Sequence, residues 1–232
     1  MEGGPMAEKR PGDTKADGSA GGVLARARAK VPLSREPRTL REEQQRATRQ
    51  KLIAATFSAF SEKGFHDTTI ADIVKAAGTS RATFYLHFAS KSEALAAAWA
   101  EMEQPSMIAH WRRLDGFGPW TAADILGWVS DMVGAWEATR AFSIASNQAV
   151  STDAEMSRRW FGGIADFLGH VPNVILRLGR DTRDPDLRFL LLCAQMERST
   201  FMFLTGNFPG NREQFVATLA EFWRDALVDD EH

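Results

Sequence analysis

A single cysteine, Cys193, and a single tyrosine, Tyr85, stand in a chain of 232 residues that carries fifteen phenylalanines and seven tryptophans. One cysteine excludes an intramolecular disulfide and a cysteine-rich zinc site, and it suits a reducing, cytoplasmic setting. Membrane-length apolar runs are absent too. The aliphatic stretch Phe189 to Ala194 is closed off by Arg188 and Gln195 after six residues, against the roughly 20 that a spanning helix needs. The first thirty residues hold no apolar stretch of signal-peptide type. Catalytic signatures are missing as well: there is no G-x-S-x-G, no P-loop, no G-x-G-x-x-G after a strand and no H-E-x-x-H. The histidines at 66, 87, 110, 170 and 232 form no i, i+4 pair that would hold a metal. Cys193 sits among apolar neighbours that keep a thiol inert. Asp124, Asp131 and Glu137 read as exposed helix-face carboxylates. The expectation is therefore a non-enzyme without metal or cofactor.

What is present is a charge asymmetry. The net charge is −2, but residues 1–91 hold 16 Lys and Arg against 10 Asp and Glu, while residues 92–232 hold 12 against 20. A basic front half and an acidic rear half suit a protein whose front meets a polyanion; uneven drift of surface charge gives the same numbers. Residues 1–40 have no aromatic side chain, six glycines and four of the nine prolines. Such a stretch cannot bury enough surface to offset the entropy of ordering and reads as a disordered arm. Its "ARARAK" segment (25–30) fits both a basic arm reaching a DNA groove and a solvated tail. Met6 offers a second start beside Met1.

Helical periodicity begins near Leu40. Ile53, Thr56, Phe57 and Phe60 fall at i, i+3, i+4 and i+7 on one stripe, and Gly64 is placed to end that helix with a left-handed residue. Thr69 and Asp72 have capping-box spacing for a short second helix carrying Ile70, Ile73, Val74 and Ala77. Gly78 stops it. Ser80 then caps a third helix through about Leu86, with Phe84 and Phe88 on the core face. Ser90 and Glu93 form a further capping box for a helix expected to run unbroken through Trp99. Two short helices joined by a glycine turn and braced by a longer one make a helix-turn-helix, whose second helix fits a DNA major groove.

The stretch Ala54 to Leu95, "AATFSAFSEKGFHDTTIADIVKAAGTSRATFYLHFASKSEAL", resembles the DNA-binding domain of the tetracycline-repressor (TetR) family in three ordered blocks. The resemblance implies an all-α chain in three parts: the arm (1–40), a three-helix helix-turn-helix DNA-binding domain (41–95), and a larger helical ligand-binding and dimerisation domain (96–232). It also implies DNA-contacting roles. Thr69, Ser80, Thr83, Tyr85, His87 and Lys91 would face phosphate and backbone, while Arg81 and Ala82 would read base edges. A guanine suits the arginine and a thymine methyl suits the alanine.

From Ala96 onward lie all seven tryptophans, ten phenylalanines and six methionines. That enrichment fits either plain core or an apolar ligand cavity. The final helices, about 186–205 and 212–228, would pair with their copies across a two-fold axis if the family likeness holds, so that a homodimer reads a palindromic operator. "TRAFSIASNQAVSTDAEMSRRW" and "MERSTFMFLTGNFP" are further similar to a mycobacterial subgroup, the repressors of the ethionamide-activating monooxygenase, which has a long hydrophobic channel. Together the two likenesses imply ligand contacts at Trp128, Met132, Trp136, Asn147, Trp160, Phe167, Cys193, Met196 and Trp223. Cys193 and Met196 stand where that subgroup has asparagines, and Phe167 where it has a tryptophan, so a different ligand is implied. The function expected is a ligand-responsive transcriptional regulator, a repressor released by a hydrophobic small-molecule effector. The alternative is a ligand-independent architectural or division-control protein on the same fold. An all-α enzyme or lipid carrier with an incidental helical hairpin is a more distant third.

Overall fold

The computed structural model describes residues 39–229, so the expected arm, with its "ARARAK" segment, lies outside the described residues but for its last two positions. All regular structure among the described residues is helical: α1 (Leu40–Asp67), α2 (Ile70–Ala76), α3 (Arg81–Tyr85), α4 (Lys91–Ala98), α5 (Gln104–Asp115), α6 (Ala122–Ala138), α7 (Arg140–Thr152), α8 (Ala154–Asp166), α9 (Pro172–Leu178), α10 (Pro185–Leu204) and α11 (Arg212–Leu227). A π-helical turn, Trp99–Glu103, links α4 to α5, and a 3-10 turn, Phe167–His170, precedes α9. None of these helices is long and apolar enough to cross a membrane.

Local chemistry explains most boundaries. Thr39 opens α1 with a capping box: its hydroxyl accepts from the Glu42 N–H, and the Glu42 carboxylate accepts from the Thr39 N–H at 2.8 Å. The inward stripe of α1 holds Leu52, Ile53, Ala55, Thr56, Ala59 and Phe60, all buried. Gly64 then breaks the helix with φ 75° and ψ 178°, a combination open essentially to glycine alone. The break is a kink with extended ψ rather than the expected left-handed stop. It turns Phe65 back onto Phe60, with ring centroids 5.8 Å apart. Thr69 and Asp72 complete the expected box on α2, the carboxylate accepting from the Thr69 N–H at 2.9 Å.

Two expectations shift. The Ser90 hydroxyl accepts from the Glu93 N–H at 3.1 Å, but the Glu93 carboxylate takes the N–H of Ala89, not of Ser90, at 2.7 Å. The box is opened by one residue. Nor does α4 run through Trp99. Pro105 has no N–H for the Glu101 carbonyl four residues back, and the Gln104 N–H bonds to the Trp99 carbonyl five residues back. The π turn is where the helix absorbs that missing donor.

Two interiors result. One gathers Leu52, Ile53, Phe60, Ile73, Phe84, Phe88 and Leu95 with Phe142, Ala145 and Ala149 of α7. The other is aromatic: Trp111, Trp128 and Trp223 pack with centroids 4.9–5.6 Å apart, and Phe189 lies 5.2 Å from Trp111. Trp99 and Trp160 are packed against both. Replacing Gly64 by alanine is expected to lower the unfolding free energy by about 1–3 kcal/mol in urea titration. An unchanged midpoint would show that position 64 has no need of glycine.

Candidate nucleic-acid interface and interior cavity

The turn between α2 and α3 passes through Gly78 at φ 62°. Ser80 caps α3 by accepting the Thr83 N–H at 3.1 Å, and its hydroxyl lies 2.9 Å from that of Thr83. Phe84 and Phe88 are fully buried, 5.6 Å apart, which anchors α3 from beneath. Thr69, Ser80, Arg81, Ala82 and Tyr85 are left exposed, with Thr83 and His87 half-buried beside them. The Arg81 guanidinium and the Tyr85 hydroxyl have no hydrogen-bond partner among the described residues. Tyr85 stands edge-on against Phe84 at 5.6 Å, so its ring is braced while 52% of the residue faces solvent.

Lys91 and His87 are differently placed. The Lys91 ammonium donates to the carbonyls of Phe65 (2.6 Å) and Thr68 (3.0 Å) and lies 4.4 Å above the Phe65 ring. Burial pulls its pKa down, with Asp67 opposing. It ties the end of α1 to the start of α4. His87 accepts at its backbone carbonyl from Arg49, at 3.5 Å, and burial together with that guanidinium holds the imidazole pKa below its usual value. Sequence reading missed the cations next to it: Arg41, Arg46 and Arg49 of α1 border a groove with Leu86 and His87. Their spacing of five and three residues ahead of the apolar stripe was the available signal.

Within the helical body lies a small, partly open cavity with interior space of about 20 Å3, room for about one water. Trp99 and Glu103 reach it from the π turn, Trp136 from α6, Phe142, Ser143, Ser146 and Asn147 from α7, Trp160 from α8, and Glu197, Thr200, Phe201 and Leu204 from α10. Seven buried side-chain atoms of the described residues have no hydrogen-bond partner, and five of them, on Ser146, Asn147, Trp160, Glu197 and Thr200, line this one space. Buried polar groups are normally paired, and these five surround a space with room for about one water. Burial raises the carboxyl pKa of both acids. Thr139 opposes the shift at Glu103, donating a hydrogen bond at 3.2 Å; the Asn147 side chain and Arg198 oppose it at Glu197.

Of the nine expected ligand contacts, Trp136, Asn147 and Trp160 line the cavity. Trp128, Met132, Phe167, Cys193, Met196 and Trp223 belong to the packed aromatic interior instead, and burial pushes the Cys193 thiol pKa well up. Glu103, Ser146, Glu197 and Thr200 were not foreseen. Glu197, Thr200, Phe201 and Leu204 recur at helical spacing, and a carboxylate interrupting so apolar a helix was a visible clue.

Residues 52–98 match the family model described as "Bacterial regulatory proteins, tetR family". Residues 52–98 are thus similar to the helix-turn-helix domain of that family. Curated relatives agree over this part: an uncharacterized HTH-type transcriptional regulator, YvdT of Bacillus subtilis, is 38% identical over 78 residues, 33% of this chain and 40% of that protein. The HTH-type transcriptional regulator AcrR of Shigella flexneri is 36% identical over 52 residues, 22% of this chain and 24% of its own. The matches thus span about two-fifths or less of these relatives. Solved structures extend the likeness of fold over most of the chain. Salmonella enterica GusR has a TM-score of 0.58 at 20% identity, covering 78% of this chain and 95% of its own. The regulator FadR of Bacillus subtilis, solved with stearoyl-CoA, has a TM-score of 0.58 at 15% identity over 79% and 99%.

The head similar to that family therefore adjoins a helical body whose cavity is polar as well as aromatic. Thr200→Val, which removes an unpartnered hydroxyl without changing shape, is expected to raise stability by about 1 kcal/mol, measured by thermal and urea unfolding. A loss of stability would mean that the hydroxyl is satisfied in solution.

Proposed function

We propose that this protein is a ligand-responsive transcriptional regulator, a repressor, that binds a palindromic operator as a homodimer and leaves it when a small-molecule effector fills the interior cavity. The observation that carries the reading is the physical continuity between the tetR-family head and that cavity. Trp99 and Glu103, two of its walls, belong to the π turn that directly continues α4.

At the operator, Arg81 reads a guanine edge and Ala82 a thymine methyl. Thr69, Ser80, Thr83 and Tyr85 turn hydroxyls toward phosphate, and Arg41, Arg46 and the His87 region add backbone contacts along α1. Lys91 serves as a brace whose backbone partners hold the head in shape. The second copy packs on the outer stripe of α10 and α11, where Leu187, Leu191, Met202 and Phe222 are exposed. Two heads related by such an axis read half-sites about 34–36 Å apart or a multiple of that.

Release follows from population shift. A cavity that holds one water admits a larger ligand only in a conformation with its walls parted. If that conformation spaces the two heads wrongly for the operator, DNA affinity falls by the ligand's differential affinity for the two states, and no further. The effector site is shorter and more polar than the channel implied by the mycobacterial subgroup. FadR with its stearoyl-CoA supports the general reading that this fold accommodates a ligand.

Footprinting on genomic fragments, repeated with cell extract, tests the whole. A protected palindrome released by the extract is expected; a palindrome indifferent to any extract favours the ligand-independent alternative. Arg81→Ala should lose about 1–3 kcal/mol of operator binding and relax specificity at one base pair per half-site. Unaltered affinity in both Arg81→Ala and Tyr85→Phe would place the reading head elsewhere. Leu191→Glu combined with Phe222→Glu should sediment as a folded monomer with operator affinity reduced more than about tenfold. A dimeric double variant would move the interface away from α10 and α11.

A further inference from the structure

The unpartnered atoms around the cavity specify what would satisfy them. Asn147 Oδ1 and Glu197 Oε1 are acceptors only, Ser146 Oγ and Thr200 Oγ1 can accept or donate, and Trp160 Nε1 alone is an obligate donor. A second carboxyl, that of Glu103, opens on the same space, where its Oε2 already accepts from Thr139. Asn147, Ser146 and Thr200 are each more than nine-tenths buried. A neutral lipid or an anion brings acceptors to a site already rich in them. An ammonium brings N–H donors and a charge that offsets two carboxylates. Arg198 offsets Glu197 only in part, being itself exposed and held over the Phe201 ring at 5.3 Å.

The remaining walls fit a cation too. Trp99, Trp136 and Trp160 are among its walls, and indole is the aromatic ring that attracts cations best. Trp99 and Trp160 also line an open cleft with Ala96 and Ala97 of α4 and Met156 and Gly163 of α8. Their ring centroids are 4.8 Å apart, and a side chain added at Gly163 would come within 3.2 Å of Trp99. The indole pair is thus the partition between cleft and cavity, and glycine at 163 leaves it room.

Resting on the reading of this cavity as the effector site, we propose that the effector is a small aromatic or otherwise apolar organic cation bearing N–H donors. It passes between Trp99 and Trp160 and is held by Glu197, with Glu103 as second counter-charge and Asn147, Ser146 and Thr200 as acceptors. The site discriminates by charge, so an isosteric alcohol is held more weakly and a carboxylate is refused. The charge requirement is set by Glu197, whose Oε1 has no hydrogen-bond partner among the described residues although the Asn147 side chain lies beside the carboxylate.

Isothermal titration of the full-length protein with 2-phenylethylamine, 2-phenylethanol and phenylacetate tests this, with tryptophan fluorescence as a second readout. The amine is expected to bind at least about tenfold more tightly than the alcohol, and phenylacetate not at all. Glu197→Gln and Glu103→Gln should each weaken the amine by about tenfold or more while the weaker binding of the alcohol changes little and the protein stays folded, with a melting temperature no lower than that of the parent. Amine binding no tighter than that of the alcohol, binding of phenylacetate, an amine affinity untouched by both variants, or no amine binding up to millimolar concentration would each overturn the proposal. The regulator reading is judged separately in an operator-release assay. An amine that binds without releasing DNA leaves the cation site standing and removes its regulatory role. Release by cell extract from a protein blind to the amine removes the cation site and leaves the regulator.

Discussion

The packing of α7 against α1 is the contact on which both functional regions depend. Ala145 and Ala149, four residues apart and with no exposed surface, let the two helices approach closely. Phe142 stacks on Phe57 at 4.4 Å at one end of the seam. At the other end the Gln148 side chain accepts the Phe65 N–H at 3.3 Å, just beyond the kink at Gly64. The neighbouring flank of the same helix carries Ser143, Ser146 and Asn147 into the cavity. One helix therefore packs in the core of the head on one side and lines the cavity on the other. The Ser92 hydroxyl bonded to Asp153 ties α4 to the start of α8 and closes the same loop of contacts.

The two interiors of the helical body differ in kind. Around Trp111, Trp128, Trp223 and Phe189 the packing is dense and aromatic, and Trp128 satisfies its indole N–H on the His110 carbonyl at 2.9 Å. Dispersion and the removal of apolar surface from water hold that part together. Around Glu197 and Asn147 the opposite holds, because buried acceptors without donors oppose folding. Such a local violation of the packing rules is common where a protein trades stability for a site.

The head was legible in the sequence because its determinants are local. Capping boxes at Thr69–Asp72, a hydroxyl cap at Ser80, glycines at 64 and 78 and the Phe84–Phe88 pair all act within a few residues. Their spacing carries the geometry. Where a determinant lay slightly farther off, the reading slipped: Pro105 removes a donor from the preceding turn, so α4 ends at Ala98 and the π turn follows. Lys91 was expected at phosphate from its place in the motif, and the partners its ammonium has in the fold are carbonyls more than twenty residues upstream, which spacing does not reveal. For the ligand site, aromatic and methionine stripes pointed into the helical body, but six of the nine residues chosen turned out to be packed core.

By itself, then, the sequence determined the helices, their caps, the helix-turn-helix and the outward set around Arg81 and Tyr85, since periodicity and capping are properties of short segments. Only the tertiary structure decided which buried polar atoms find partners. That depends on what four separate helices and a π turn bring to one point, and no spacing along a single helix encodes it. Glu103 and Glu197 are 94 positions apart in the chain, and only the crossing of α7 with α10 beside the π turn makes them two walls of one small, acidic, tryptophan-lined space.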